Sequence, residues 1–222
     1  MIRINLILTF LCLLSFHSFG QEAKFSLGIE GGVGPTKLFG NEIIDKYHYS
    51  RMGASTGIAG QFNFNKHIAV RTGVYFEDKG SELKLQLTDA NGDFIETGKI
   101  KEHFMFFNLP FMARATFGNQ LKYFVNAGAY YAFLYKVTEV YEGTNDYPEM
   151  KIDQLNNFKR HEIGFTAGVG IAYHFSFPLA ISLEARNNLG LNNLSNQVVI
   201  NNGTIKTNGL NFLLGLSYQF GK

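Results

Sequence analysis

The chain has 222 residues, 45% of them hydrophobic and 17% charged, with 22 Phe, 11 Tyr, 24 Gly, one Cys and no Trp; that length suits a single domain. Its 20 Lys and Arg against 18 Asp and Glu leave a formal charge of +2, too little for the dense basic face that phosphate neutralisation requires, so no nucleic-acid partner is expected. The aromatic load excludes a disordered chain and favours strands over helices, pointing to an all-β protein.

Residues 1–20 read as a signal peptide. Arg3 supplies a basic start, Ile4 to Phe16 is almost unbroken apolar sequence, and Ser18 and Gly20 put small residues where a signal peptidase reads, with cleavage expected before Gln21. The apolar run is shorter than the roughly 20 residues a helical span needs. Cys12 lies inside this segment behind a bulky Leu11, which argues against lipid attachment. The mature chain, 21–222, then holds no cysteine and must fold without cross-links.

Along the mature chain the recurring signal is alternation of apolar and small or polar residues, a period of two that a helix would spread over every face. The first strand is expected over about 24 to 34, with Phe25, Leu27, Ile29 and Val33 on one side. The second runs over about 54 to 64, with Ile58, Phe62 and Phe64. A turn at Asn65-Lys66 leads to the third, from Ile68 through Val70, Val74 and Phe76, with an extension through Leu83, Leu85 and Leu87 to the turn signal Asn91-Gly92. The fourth carries Met105, Phe107, Leu109 and Phe111; the fifth carries Tyr123, Val125, Ala127, Ala129, Tyr131, Phe133 and Tyr135. The sixth, Glu162 to Phe175, has Ile163, Phe165, Ala167, Val169, Ile171, Tyr173 and Phe175 against Glu162, Gly164, Thr166, Gly168, Gly170, Ala172 and His174. The seventh sets Leu179, Ile181, Leu183 and Ala185 against Ala180, Ser182, Glu184 and Arg186, and the eighth carries Leu210, Phe212, Leu214, Leu216, Tyr218 and Phe220.

The connections alternate in length. Long ones, at about 35 to 52, 79 to 101, 138 to 160 and 189 to 207, alternate with short turns near Asn65-Lys66, Gly118-Asn119-Gln120 and Ser176-Phe177-Pro178. Short turns at one rim and long loops at the other, on an even number of antiparallel strands, predict an eight-stranded up-and-down antiparallel transmembrane β-barrel. No mature segment is apolar for 18 consecutive residues, which excludes helical spans.

An eight-stranded barrel has an interior just wide enough for its own side chains or one small ligand. The apolar rows would overfill it, whereas the complementary rows of glycine, small polar residues and opposite charges suit a narrow lumen. The apolar rows are therefore expected to face outward, over an area no soluble monomer tolerates in water, so the surrounding solvent is lipid. Tyr123, Tyr135, Tyr173, Phe175, Tyr218 and Phe220 near strand ends would form interfacial girdles.

Four stretches carry a family resemblance: Phe107 to Arg114 with its apolar-Pro-apolar core; Tyr123 to Tyr131, aromatic and glycine-bearing; His161 to Phe165 with the following GxG; and Glu184 to Asn193, an Arg-x-x-x-Gly-Leu-x-Asn strand end. In their order and spacing the chain resembles the PorT-like outer-membrane β-barrel family abundant in Bacteroidetes, over its whole mature length. The resemblance implies an eight-stranded barrel in a bacterial outer membrane and no single shared activity. Gly215-Leu-Ser-Tyr218-Gln-Phe220 resembles the terminal signal by which the barrel assembly machinery recognises its clients, with Leu213 at a usually polar place and Gly221-Lys222 after the last aromatic.

Arg71, Glu77, Arg114, Glu162, Glu184 and Arg186 fall on the predicted lumen rows. Charges of both signs inside a low-dielectric wall pair and hydrogen-bond, so a lumen-filling network is expected, with a gated ion path or ligand clamp as the alternative. Glu162 and Glu184, on neighbouring strands, also admit a reading as paired carboxylates, without a substrate cleft beside them. His48, His67, His103, His161 and His174 show no HExxH or i, i+4 pair, so no metal site is expected. Gly31 to Gly34 and Gly168 to Gly170 do not sit at a strand-to-helix junction, which removes a phosphate-loop reading and with it an expected cofactor. No GxSxG or activated Cys appears.

The long loops remain the expected places of interaction: Lys37 to Tyr49 with Arg51, Glu139 to Arg160 with Tyr141, Asp146, Tyr147 and Lys159, and the Asn-rich stretch Asn192 to Asn208. The expectation is a monomeric, non-enzymatic outer-membrane protein with periplasmic termini, a filled lumen and four extracellular loops open to a ligand or protein. The alternatives are a soluble exported barrel carrying a hydrophobic ligand and a small outer-membrane hydrolase.

Overall fold

A computed structural model of the chain describes residues 24–88, 91, 94–143, 148–199 and 203–220. The expected signal peptide and its expected cleavage point lie outside them. Among the described residues ten strands form: β1 (Phe25–Phe39), β2 (His48–Asn63), β3 (Ile68–Lys79), β4 (Ser81–Thr88), β5 (Phe94–Gly118), β6 (Leu121–Tyr141), β7 (Met150–Asp153), β8 (His161–His174), β9 (Leu179–Gly190) and β10 (Lys206–Phe220), with one short α-helix, α1 (Glu42–Tyr47), and a 3-10 turn at Leu155–Asn157.

Eight of them close a ring, β1-β2-β3-β5-β6-β8-β9-β10, in which every pairing is antiparallel and β10 returns to β1. Closure satisfies every edge, the condition for sheet structure in hydrocarbon. The register Phe25↔Phe220 to Phe39↔Lys206 zips the first strand to the last over their full length. On its inner side this seam is tight, since a Cβ on Gly32 would stand 1.8 Å from the Phe212 carbonyl oxygen.

The strands run further toward the long-loop side than alternation alone marks, because backbone pairing continues where apolar patterning stops. The segment 79 to 101, expected as a loop with a strand extension, is instead mostly a β-hairpin. Glu82↔Lys101 and Leu83↔Ile100 continue the register of Lys79↔Phe104, so β3 and β4 form one bent strand against β5. The bend is at Gly80, with φ +145°, where a Cβ would lie 1.8 Å from the Glu102 carbonyl oxygen.

Facing is decided by the side-chain period of two. Phe165 is 48% exposed and Val169 and Leu214 are each 59% exposed, whereas Arg114 keeps 7% and Glu184 2%. The apolar rows thus point away from the axis. The expected girdle residues Tyr123, Tyr173, Tyr218 and Phe220 are exposed, and Tyr218 lies edge-on to Phe220 with ring centroids 4.9 Å apart.

One expectation about the inward rows needs correction: they are not only glycine, small polar residues and charge. Tyr75, Phe104, Phe106, Met112, Phe124, Tyr130 and Leu134 also point inward and are buried. A barrel this narrow is filled by its own side chains, and its parity gives these aromatics nowhere else to go. Toward the long-loop rim Phe104, Phe106, Ala132, Leu134 and Val137 pack with Leu38 of β1, Ile44 of α1 and Leu194 of the last long connection, flanked by Leu155, Phe158 and Ile205. The long connections therefore fold over the rim.

Helix α1 is placed for this by its cap. Asn41 Oδ1 accepts from the amides of Ile43 at 3.1 Å and Ile44 at 3.0 Å, while Asn41 Nδ2 donates to the Thr204 carbonyl at 3.1 Å. One side chain thus starts the helix and ties the first long connection to the last.

Candidate functional site: the charged lumen

Two layers of polar side chains cross the lumen. In the layer nearer the short turns, Glu30 of β1 is the hub. It accepts from Arg71 of β3, from Tyr75 of β3 at 2.5 Å, and from Arg186 of β9 at 2.9 Å. Arg186 also donates through Nε and Nη2 to Glu184, each at 2.8 Å. Asn126 Nδ2 donates to Glu184 at 2.8 Å, and Asn126 Oδ1 accepts from Arg114 Nε at 2.8 Å. Gln61 Oε1 accepts from Arg114 at 2.9 Å and Arg71 at 3.4 Å, standing between two like charges. The Arg114 guanidinium lies 3.8 Å above the Phe124 ring, and Arg186 lies 5.0 Å from that of Tyr75.

The second layer lies toward the long loops. Lys79 Nζ donates to Glu162 at 2.9 Å, to Tyr130 Oη at 3.1 Å and to Thr207 Oγ1 at 3.3 Å. Tyr130 and Thr207 donate in turn to Glu162, both at 2.7 Å. Glu77, 3.7 Å from Lys79, accepts amide protons from Asn108 at 2.6 Å, Asn188 at 2.9 Å and Asn211 at 2.8 Å. Because all three amides are turned to that carboxylate, the buried Oδ1 atoms of the three asparagines are left without partners.

These two layers hold Glu30, Glu77, Glu162 and Glu184 against Arg71, Lys79, Arg114 and Arg186, four charges of each sign and all buried. Desolvation of such groups is offset only when each finds opposite charge and hydrogen bonds, which is the arrangement here. A third cluster sits at the long-loop rim. Arg51 donates to the Glu102 carbonyl at 2.8 Å, the Lys79 carbonyl at 2.7 Å and the Asp78 carboxylate; His103 lies 2.9 Å from Asp78, and His48 2.8 Å from Glu102.

All six charges singled out from the sequence, Arg71, Glu77, Arg114, Glu162, Glu184 and Arg186, are in the lumen, but not as one constellation. Glu162 and Glu184 are not a pair. Glu184 stands opposite Gly170 in the β8–β9 register, eight residues along β8 from Glu162, roughly 26 Å at the rise of a strand. Adjacency of strands says nothing of height until register is fixed. Gly215 faces inward against Ser182 and Glu30, and Tyr218 and Phe220 face outward. Sequence reading missed Glu30 and Lys79, although parity carried both: Glu30 alternates with Ile29, and Lys79 shares the row of Arg71 and Glu77. Among the described residues, no group of three His, Cys, Asp or Glu comes together as a metal would require.

Below the first layer, at the short-turn end, is a cavity of about 420 Å³. Its wall includes Arg71, Arg114, Glu30 and Gln61 at its top and Lys66, His67, Lys122 and His174 nearer the turns.

A closed antiparallel ring with apolar residues outside and charge inside defines a transmembrane β-barrel. Among the described residues no helix is long and apolar enough to cross a membrane; the strands make the crossing. Residues 19–196 match the family described as outer membrane protein beta-barrel domain, and the chain belongs to that family, whose setting is the bacterial outer membrane. Similar solved structures include Neisserial surface protein A, 12% identical, covering 90% of this chain and 100% of that one with a TM-score of 0.48. A major outer membrane protein from Thermus thermophilus is 13% identical, covering 88% and 99% with a TM-score of 0.47. OprG from Pseudomonas aeruginosa is 10% identical, covering 91% and 99% with a TM-score of 0.42. None of the curated proteins compared with the chain matches it.

Proposed function

We propose that the chain is a non-enzymatic, monomeric outer-membrane barrel of PorT-like type, with a side-chain-filled lumen and a structural or surface-interaction role carried by its long connections. In this reading residues 1–20 direct export and are removed. The Gly215, Tyr218 and Phe220 strand end presents the chain to the barrel assembly machinery, and both ends of the mature chain lie on the periplasmic side with the short turns. The observation that supports it is the Lys79–Glu162 pair within a crossing layer, capped by the Phe104, Phe106, Leu134, Leu38 and Leu194 cluster. Ion pairs and aromatic packing across so narrow a barrel leave the loop-side half to side chains rather than water. What the protein presents outside is then the rim built by α1, β7 and the β4–β5 hairpin, where a ligand or a protein would be met.

The separation of Glu162 from Glu184 speaks against acid/base chemistry in the lumen. The test is twofold. Protein expressed in cells is expected in the outer-membrane fraction with heat-modifiable migration on a gel, and the refolded barrel is expected to give no steady single-channel current in planar bilayers. A sustained current would overturn the filled-lumen reading, and a soluble periplasmic fraction would overturn the membrane one.

A further inference from the structure

The short-turn cavity differs from the layers above it in charge. Among the described residues its lining includes Lys66, Arg71, Arg114 and Lys122 with a single carboxylate, Glu30, and adds His67 and His174. Glu30 is already occupied by Arg71, Tyr75 and Arg186. The first layer as a whole repeats the imbalance, with Arg71, Arg114 and Arg186 against Glu30 and Glu184, whereas Glu77, Lys79 and Glu162 leave the second layer with the opposite excess. Arg71 is buried at the cavity wall with its Nε unpartnered. Gln61, Asn63, Gln120, Gln219, Ser26 and Ser217 supply neutral polar groups around the cations.

We propose that this cavity is a binding site for a compact oxyanion, a small molecule or polymer end bearing clustered carboxylates or phosphates. A recess walled by one sign of charge and backed by low-dielectric protein focuses its field and draws counter-charge from solution. Guanidinium and ammonium groups together make charge-assisted hydrogen bonds to either kind of oxygen. A cavity of about 420 Å³ takes a molecule of citrate or pyrophosphate size and excludes a folded protein. By the proposed orientation the site opens to the periplasm; that orientation rests on the functional reading, whereas binding in micelles does not.

The experiment is calorimetric titration of the refolded full barrel, in uncharged detergent at low salt and pH 7, with inorganic pyrophosphate and, separately, citrate. Saturable one-to-one binding of at least one probe is expected; preference for pyrophosphate assigns the phosphate class and preference for citrate the carboxylate class. Lys66→Gln with Lys122→Gln, which removes two positive charges at the turn end, is expected to weaken binding at least tenfold while preserving heat-modifiable migration. Lys101→Gln, on the opposite rim, is expected to leave it unchanged. Absence of saturable binding by both probes, or equal affinity in the double variant, would overturn the proposal.

Discussion

Lys79 and Glu162 meet at 2.9 Å from β3 and β8, strands three places apart in the eight-membered ring, and both are wholly buried. The pair spans the lumen instead of bridging neighbours. Breaking it from one side strands a charge: Lys79→Met leaves Glu162 and Glu77 facing each other's field, and destabilisation of about 3–5 kcal/mol is expected. Lys79→Met with Glu162→Leu removes both charges and should recover most of that loss. Urea unfolding from lipid bilayers reads the cycle; additive losses would show that the two residues are not coupled.

Val169 tests facing. It is 59% exposed near the middle of β8, between Val125 and Ala185 in the registers on either side. Val169→Arg is expected to cost about 2–4 kcal/mol because the charge enters hydrocarbon, and Val169→Leu next to nothing. A neutral arginine would mean water rather than lipid at that wall.

Gly80 tests the bend between β3 and β4. Its φ of +145° and the 1.8 Å that would separate an added Cβ from the Glu102 oxygen leave no room for alanine. Gly80→Ala should destabilise by roughly 1–3 kcal/mol and speed amide exchange through the Glu82↔Lys101 ladder. Gly60→Ala is the control, since its Cβ would meet only the Phe25 ring at 3.8 Å. Equal exchange in both variants would show that the bend does not depend on glycine.

Outside the membrane band, Glu142 and Lys101 join the ends of the β5–β6 ladder. The hydrogen bond from Lys101 holds the Glu142 carboxyl below its ordinary 4.5, and the same bond holds Lys101 above its ordinary 10.5. Any stabilisation from Glu142 is therefore full above pH 4.5 and fades as pH falls through the lowered value; that from Lys101 is full below pH 10.5 and fades as pH rises through the raised one. Carboxyl NMR titration should show Glu142 below 4.5 and rising toward it in Lys101→Gln, with Lys99 still holding part of the shift. An unshifted Glu142 in the parent protein would mean that the contact is not made in solution.

The period of two, read from residues such as Phe165, Val169 and Leu214, was enough to define the ring of strands, their facing and the inward parity of all six lumen charges, because facing is a local property of extended chain. The same parity holds Glu30, beside Ile29, and Lys79, two places beyond Glu77. Height along the barrel is different. Which carboxylate meets which cation depends on register and on strands three places apart, so Lys79 with Glu162, Glu77 with three asparagines, and the separation of Glu162 from Glu184 came only with closure. Parity alone turns Phe104 and Phe106 inward, in alternation with Met105 and Phe107, whereas their packing at the rim against Ile44 and Leu194 came only with closure. A loop sequence records composition, whereas the surface it covers is built by the distant strands beneath it.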